Sequence, residues 1–188
     1  MNERLWILGA PDPEMVMIES LLRDAGEPVG HATVAGCRVH PGNAYRADGY
    51  VNPGESVIAP ESAQCSIYLV ECGFPDPRLI GINGAEIVIV DHHRPGDPGY
   101  GRLAADYLSA SSIGQVFSLL GVSIADRYDE NNNVELCAAA DHCLAAAYRG
   151  ECPGVDPDAL MKWRAETRAA FQKRSVADVL RDVDAARG

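Results

Sequence analysis

Three short apolar runs constrain the fold of this chain more than any other feature. They read "RLWIL" at residues 4–8, "IYLV" at 67–70 and "EIVIV" at 86–90. Because apolar residues fill successive positions rather than alternate ones, both faces of each strand should be buried, as in parallel sheets covered by helices. Segments with helical spacing lie between and after these runs. The sequence therefore predicts an α/β protein with a parallel sheet flanked by helices.

The best-marked helix is "PEMVMIESLLRDAG", residues 13–26. Asp12 can cap it, Pro13 suits its first position and Gly26 can end it. A second strand is predicted for "HATVAGCRV", residues 31–39. The stretch from His40 to Ala63 has no clear period and is predicted to be irregular.

The remainder of the chain is predicted to be helical. Single helices are expected over residues 105–122, 132–150 and 156–187. The segment "CPGVDP", residues 152–157, is the best candidate for a boundary because it combines proline and glycine. We therefore expect an α/β domain over residues 1–150 and a short helical C-terminal extension over residues 151–188.

Composition limits the classes of partner. The formal net charge of −11 argues against a surface that holds long nucleic acid, but leaves a small phosphorylated ligand open. No apolar run approaches the roughly 20 residues of a membrane span, so no membrane partner is expected. The six cysteines contain no CxxC pair, and no charged-then-apolar leader begins the sequence. These features favour reduced thiols and a cytoplasmic location.

Titratable side chains collect where the predicted strands end. These residues are Asp12, Glu14, Glu71, Asp91, His92 and His93. The carboxyl ends of parallel strands share one edge, so these groups should converge there. Asp141 lies in an apolar helical run, where a charge is costly unless a cation compensates it. Together they indicate a site for a divalent cation.

Each of these residues also has an ordinary structural interpretation. Asp12 can be only a helix cap, and Glu14 only an acid that favours the positive end of a helix. Asp141 can belong to the exposed stripe of an amphipathic helix. Glu71 is the hardest to explain in this way, because it directly follows a buried apolar run.

The adjacent histidines suggest a division of roles. Successive side chains of a strand point to opposite faces, so one of the two histidines is expected to bind the metal and the other to face the substrate. Carboxylates with one imidazole suit Mn²⁺ or Mg²⁺, as one or two ions. Arg94 could pair with a phosphate, and the glycines that follow, Gly96 among them, would let the backbone approach it.

The run "VIVDHH", preceded by an acid at an earlier strand end and by "PDPE" after the first strand, resembles the DHH phosphoesterase superfamily. The resemblance covers roughly residues 4–145 and implies a DHH-type sheet. It also implies that two Mn²⁺ ions are bound by a set of side chains that corresponds here to Asp12, Glu14, Glu71, His92 and Asp141, with Asp91 as an orienting or ligating acid and His93 on the substrate side. His93, Arg94 and Asp91 would then be the catalytic residues.

The chain departs from the family pattern in three ways. Leu8 stands where the family has its first metal-binding histidine, and glutamate replaces aspartate at positions 14 and 71. Only 47 of the 188 residues follow Asp141, so the family's usual second, substrate-reading domain is not expected to fit there. Substrate choice would then depend on the irregular stretch, the C-terminal helices or a second copy of the chain, which leaves a homo-oligomer open.

The expected function is that of a metal-dependent phosphoesterase. Its substrate would be a small phosphate ester, phosphodiester or phosphoanhydride, hydrolysed by a metal-activated water. Two alternatives stay open at this point. One is a catalytically impaired module of the same fold that binds a nucleotide or a protein partner; the other has no phosphate chemistry and only ordinary helix caps.

Overall fold

The computed structural model describes residues 3–52, 65–80, 84–127 and 133–187. The chain divides into two compact units, Met1–Gly101 and Arg102–Gly188. The boundary predicted near residue 150 lies inside the second unit, between two of its helices. The domain limits of 1–150 and 151–188 thus do not coincide with this division and stay a prediction.

Six strands form one sheet within the described part of the first unit. They are β1 (Glu3–Leu8), β2 (Val29–Val34), β3 (Cys37–Arg38), β4 (Gly49–Val51), β5 (Cys65–Val70) and β6 (Glu86–Val90). The main order is β3-β2-β1-β5-β6, with β4 also paired to β2. β1 is parallel to β2 and to β5, and β5 is parallel to β6. The predicted α/β class with a mostly parallel sheet is confirmed.

The sheet is nevertheless mixed, because β3 and β4 are both antiparallel to β2. The sequence predicted one strand over residues 31–39, and this is wrong. Ala35 and Gly36 both have left-handed backbone conformations, with φ of 50° and 77°. Two such residues form a tight hairpin turn, and the Asp48 carboxylate accepts a hydrogen bond of 2.8 Å from the Ala35 N–H. The turn splits the segment into β2 and β3.

Burial agrees with the apolar pattern in β1 and differs in β6. Leu5, Trp6, Ile7 and Leu8 are all fully buried, so both faces of β1 are covered. In contrast, Ile87 and Ile89 are 39% and 38% exposed. β6 is the last strand in the described order of the sheet, so one of its faces is less covered than the apolar run predicted.

Helix α1 (Pro13–Asp24) connects β1 with β2 and confirms the sequence signals. The Asp12 carboxylate accepts a hydrogen bond of 2.7 Å from the Met15 N–H, which caps the helix. Ile18, Leu21 and Leu22 belong to its buried apolar face. The turn after α1 contains Gly26, which has a φ of 73°.

The second unit is helical throughout its described secondary structure. After the 3₁₀ turn Ala104–Asp106, its helices are α2 (Tyr107–Ala110), α3 (Ser112–Leu120), α4 (Ile124–Arg127), α5 (Val134–His142), α6 (Leu144–Tyr148), α7 (Pro157–Gln172) and α8 (Val176–Arg187). None of the helices within the described residues has the length and apolar character needed to cross a membrane.

The three long helices predicted from the sequence are each interrupted. Ser111 has an extended backbone between α2 and α3, and its hydroxyl caps α3 by accepting from the Gly114 N–H at 3.3 Å. Cys143 leaves the helical conformation between α5 and α6. Lys173 takes a left-handed conformation, with φ of 52°, at the end of α7. Hydrophobic spacing continues across these breaks, so spacing alone does not predict them.

Candidate metal centre

The strand order creates a switch point between β1 and β5. From β1 the chain passes through α1 to β2 on one side, whereas from β5 it continues to β6 on the other side. Connections that diverge in this way leave a crevice beyond the carboxyl ends of the two central strands, where α/β proteins bind ligands. Gly9 follows β1, Glu71 follows β5, and Asp91 follows β6. The structure therefore contains the edge at which the sequence predicted these residues to converge, at the carboxyl ends of the parallel strands.

Glu71 occupies this edge in a strained backbone conformation. Its φ is 49°, in the left-handed region, which costs a non-glycine residue about 1 kcal/mol. Gly9 lies directly against it: a β-carbon at position 9 would be 2.3 Å from the Glu71 carbonyl oxygen. Hydrogen bonds from the Gly9 N–H to Val70 O (2.9 Å) and from the Glu71 N–H to Val90 O (3.1 Å) continue the pairing past the strands. The Glu71 backbone is thus fixed on both sides.

Asp91 organises the segment that follows β6. Its Oδ1 accepts hydrogen bonds from the backbone N–H groups of His92 (2.7 Å) and His93 (3.0 Å), and lies 2.9 Å from Nδ1 of His93. Its Oδ2 accepts from the Tyr45 hydroxyl at 2.8 Å. Burial raises the pKa of Asp91, but the hydrogen bonds from His93 and Tyr45 outweigh it and leave that pKa below its ordinary value. Asp91 is therefore ionised at neutral pH.

The ionised Asp91 determines which ring nitrogen of His93 is available. The hydrogen bond with Asp91 raises the pKa of His93, and burial opposes it. Because a carboxylate can only accept, the Nδ1 atom that faces it carries a proton. Nε2 of His93 is then the nitrogen that can bind a cation in the neutral ring. A carboxylate that orients a histidine in this way is the usual support of a metal-binding imidazole.

His92 and His93 do not diverge as strand alternation predicted. β6 ends at Val90, so neither histidine lies in the extended strand from which alternation was argued. Their ring centroids are 4.3 Å apart, with a 35° angle between the rings. His92 is 8% exposed, whereas the His93 side chain is 46% exposed. The assignment of His92 to metal and His93 to substrate stays a prediction, without the geometric premise on which it rested.

Glu71, His92 and His93 form the Glu71 cluster, which could hold a metal ion. Each offers one ligand atom, and these atoms lie within 4.8 Å of one another. Ligands of a divalent ion lie about 2.1 to 2.5 Å from it, so at most about 5 Å from one another. The Oε1 atom of Glu71 is buried and accepts no hydrogen bond from the described residues, although His92 Nε2 is 3.5 Å away. A buried anionic acceptor in this state fits a bound cation.

The other predicted ligands belong to helix α1, its N-cap and helix α5. Asp12 is the cap of α1, and Glu14, in the first turn of that helix, is 2% exposed. Asp141 lies on α5 of the second unit and is half-buried. Leu8, at the position of the family's histidine, is fully buried in β1. The roles of Asp12, Glu14 and Asp141 stay predictions.

Arg94, predicted to bind phosphate, is exposed in the loop after β6. Its guanidinium carbon lies 3.0 Å from the centroid of the Tyr45 ring, and its backbone N–H donates to the Asp97 carboxylate at 2.7 Å. Gly96, in the same loop, has a φ of 101°, a conformation that suits glycine. The loop therefore has defined internal contacts, and its role in substrate binding stays a prediction.

Tyr45 is the residue of this site that the sequence did not reveal. It lies on the 3₁₀ turn Ala44–Arg46, within the stretch predicted to be irregular. Burial and the hydrogen bond to Asp91 raise the pKa of Tyr45 far above its ordinary value, so its hydroxyl remains a donor. Only the fold brings this turn next to Asp91, and no spacing in the sequence indicates it.

Comparison with known proteins adds no relative. No family model, curated protein or solved structure matches this chain. The resemblance to the DHH superfamily consequently rests on the residues quoted above, and a DHH-type identity stays a hypothesis.

Proposed function

We propose that this protein is a metal-dependent phosphoesterase that acts on a small phosphate ester, phosphodiester or phosphoanhydride. The observation that carries the proposal is the Glu71 cluster: three ligand atoms within 4.8 Å of one another at the switch point of a mostly parallel sheet. The proposal rests on the residues of the first unit alone.

Glu71, His92 and His93 are the residues that would hold the ion. A carboxylate oxygen with two imidazole nitrogens suits Mn²⁺ better than Mg²⁺, which prefers oxygen ligands and retained waters. A divalent cation at such a site supplies Lewis acidity, which lowers the pKa of water and neutralises charge at phosphorus. Asp91 keeps Nε2 of His93 directed away from its own carboxylate and so ready to bind.

The loop after β6 would hold the phosphate. Arg94 is exposed, and none of the described residues accepts a hydrogen bond from its guanidinium, so its N–H groups remain available to a phosphate. No atom of the described residues lies within 4 Å of the position that a β-carbon would take at the left-handed Gly96, which leaves open space beside the loop. A small anionic ligand fits the −11 net charge better than a long nucleic acid does, since few local groups suffice to bind it.

One observation favours a second candidate function. Leu8 is fully buried in the sheet, so the position that supplies a metal-binding histidine in the DHH pattern is part of the core here. A site with fewer ligands binds metal more weakly. The alternative is therefore a catalytically impaired module that binds a nucleotide or a protein partner through the same edge.

The two candidates are separated by metal-dependent hydrolysis. The protein, stripped with chelator, is assayed with a generic phosphodiester, a cyclic dinucleotide and pyrophosphate in Mn²⁺, Mg²⁺ or Zn²⁺. We expect Mn²⁺-dependent turnover in the wild type and a loss of at least about a hundredfold in Glu71→Gln, because an anionic ligand becomes neutral. Glu19→Gln is the matched control, since Glu19 is a partly buried carboxylate of the same unit that pairs with Arg23.

Two outcomes of this assay would count against the phosphoesterase. Wild type that gains thermal stability from Mn²⁺ but hydrolyses none of the three substrates supports the binding module. Wild type that neither hydrolyses them nor responds to any of the metals shows that the proposed function is wrong.

A further inference from the structure

Tyr45 makes two contacts at once with the segment that follows β6. Its hydroxyl donates to Oδ2 of Asp91 at 2.8 Å, and the Arg94 guanidinium carbon lies 3.0 Å from its ring centroid. Asp91 and Arg94 are three positions apart in the chain. One side chain from a distant turn therefore fixes both ends of the segment that carries His92 and His93.

The turn that carries Tyr45 is itself anchored to the loop after β5. The Gly73 N–H donates to Ala44 O at 3.1 Å, and the Ala47 N–H donates to Gly73 O at 3.0 Å. Ala44 and Ala47 are buried in the same core cluster as strand residues of the sheet. A β-carbon at position 73 would lie 3.4 Å from Cδ1 of Tyr45. Tyr45 thus connects the loop after β5, next to Glu71, with the loop after β6.

Arg94 differs from three other arginines of the chain, Arg23, Arg149 and Arg174, in what lies next to its guanidinium. Arg23, Arg149 and Arg174 each lie within 2.7 Å of a carboxylate oxygen. No described carboxylate lies within ion-pair distance of the Arg94 guanidinium, which stacks on Tyr45 instead. Stacking on an aromatic face fixes the plane of a guanidinium and leaves its N–H edges free. Such an arginine is prepared to bind an anion.

We propose that Tyr45 is a positioning residue that holds the Arg94 guanidinium ready for the phosphate of the substrate and fixes Asp91 behind His93. The assignment rests on the proposed function, since it concerns the phosphate that this site would bind. The two contacts predict separable effects. Loss of the ring should weaken phosphate binding through Arg94, whereas loss of the hydroxyl alone should reduce turnover through Asp91.

A double-mutant cycle with inorganic phosphate as the probe tests the ring contact. Phosphate affinity is measured by calorimetry, with Mn²⁺ and with chelator, for Tyr45→Leu, Arg94→Ala and the double variant. We expect Arg94→Ala to weaken binding about tenfold and Tyr45→Leu about fivefold. The double variant should be no weaker than Arg94→Ala, because the ring acts through the arginine.

The hydroxyl is tested by Tyr45→Phe, which keeps the ring. We expect phosphate affinity and KM to stay as in the wild type, while kcat falls about tenfold, as when a supporting hydrogen bond behind a ligand is removed. Tyr50→Phe is the matched control, since Tyr50 packs against the same core cluster, while the tyrosine hydroxyl that donates to Asp91 belongs to Tyr45. Its kcat, KM and phosphate affinity should all be unchanged.

Several results would overturn the assignment. They are absence of phosphate binding in the wild type, equal affinity in the wild type and Arg94→Ala, and additive losses in the double variant. If Tyr45→Leu does not fold, judged by its urea transition, Tyr45→Met replaces it in the cycle because it keeps most of the apolar bulk. Wild type without any hydrolysis but with the expected phosphate cycle would refute the proposed function and leave the role of Tyr45 standing.

Discussion

Two clusters of carboxylate and histidine lie in the same unit and have opposite character. The Glu19 cluster consists of Glu19, Arg23, His31 and Arg38. In it, one carboxylate accepts from Arg23 at 2.7 Å, lies 2.9 Å from His31 Nε2, and is 3.9 Å from Arg38. In the Glu71 cluster, by contrast, His92 Nε2 lies 3.5 Å from a carboxylate oxygen that accepts no hydrogen bond from the described residues.

Charge explains what the difference means. Two guanidinium groups surround the single carboxylate of the Glu19 cluster, so it needs no further cation. Burial, assisted by the neighbouring Arg38, lowers the pKa of His31 and keeps its ring neutral. Beside the Glu71 cluster, Asp91 adds a second carboxylate, and Arg94 stacks on the Tyr45 ring rather than pairing with a carboxylate of the described residues. The carboxylate of the Glu19 cluster is therefore neutralised by its own neighbours, whereas similar residue types in the Glu71 cluster are suited to a bound cation.

The largest contrast is expected in stability. Asp91→Ala would leave the backbone N–H groups of His92 and His93 and the Tyr45 hydroxyl without their acceptor, at a cost of about 4 kcal/mol in the free energy of unfolding. Glu19→Ala, at a half-exposed and redundantly paired site, should cost only about 1 kcal/mol. Urea unfolding with chelator present measures both. Equal losses of unfolding free energy in the two variants would mean that the two clusters contribute equally to stability.

Metal affinity gives the next contrast. His92→Ala should weaken Mn²⁺ binding by about a hundredfold. Mutation of a residue that only supports a metal ligand typically costs about 10 to 100-fold in metal affinity, and loss of a ligand should cost at least as much. His31→Ala should leave Mn²⁺ affinity unchanged, because the Glu19 cluster holds its own counter-charges. Calorimetric titration with Mn²⁺ provides the measurement.

His93→Ala sharpens the same comparison. Since the ligand atom of His93 lies within 4.8 Å of those of Glu71 and His92, we expect a loss of Mn²⁺ affinity similar to that of His92→Ala. Normal Mn²⁺ affinity with lost turnover would instead place His93 on the substrate side, as the resemblance to the DHH superfamily implies.

The smallest contrast concerns pH. The pKa of His31 is lower in the folded chain than its ordinary value, so the unfolded chain binds more protons and stability falls as pH drops below about 6.5. His93 has a raised pKa, so its contribution is present at low pH and is lost as pH rises through that pKa. Melting temperatures with chelator between about pH 7.5 and 5.5 should therefore fall less in His31→Gln and more in His93→Gln than in wild type. Changes of the opposite sign in the two variants would contradict the lowered pKa of His31 and the raised pKa of His93.

Much of the fold could be predicted because its signals are local. Apolar runs marked β1, β5 and β6, and the sequence around Asp12 and Pro13 marked the start of α1 correctly. The helix breaks at Ser111 and Cys143 were missed, since a single non-helical residue leaves the apolar spacing intact. Strand alternation does not apply at His92 and His93 because β6 ends at Val90, three residues before His93.

The sequence by itself determined which groups follow the strands, because a strand that is apolar on successive positions has to end where polar groups begin. It placed Glu71, Asp91 and His92 at strand ends from this rule alone. Only the tertiary structure decided that β5 lies beside β1, that the ligand atoms of Glu71, His92 and His93 come within 4.8 Å of one another, and that Tyr45 reaches Asp91. These facts depend on strand order and on contacts between residues far apart in the chain: 46 positions separate Tyr45 from Asp91, and 62 separate Leu8 from Val70. Hydrophobic periodicity carries no information about such contacts, since it reports only which face of each element is buried.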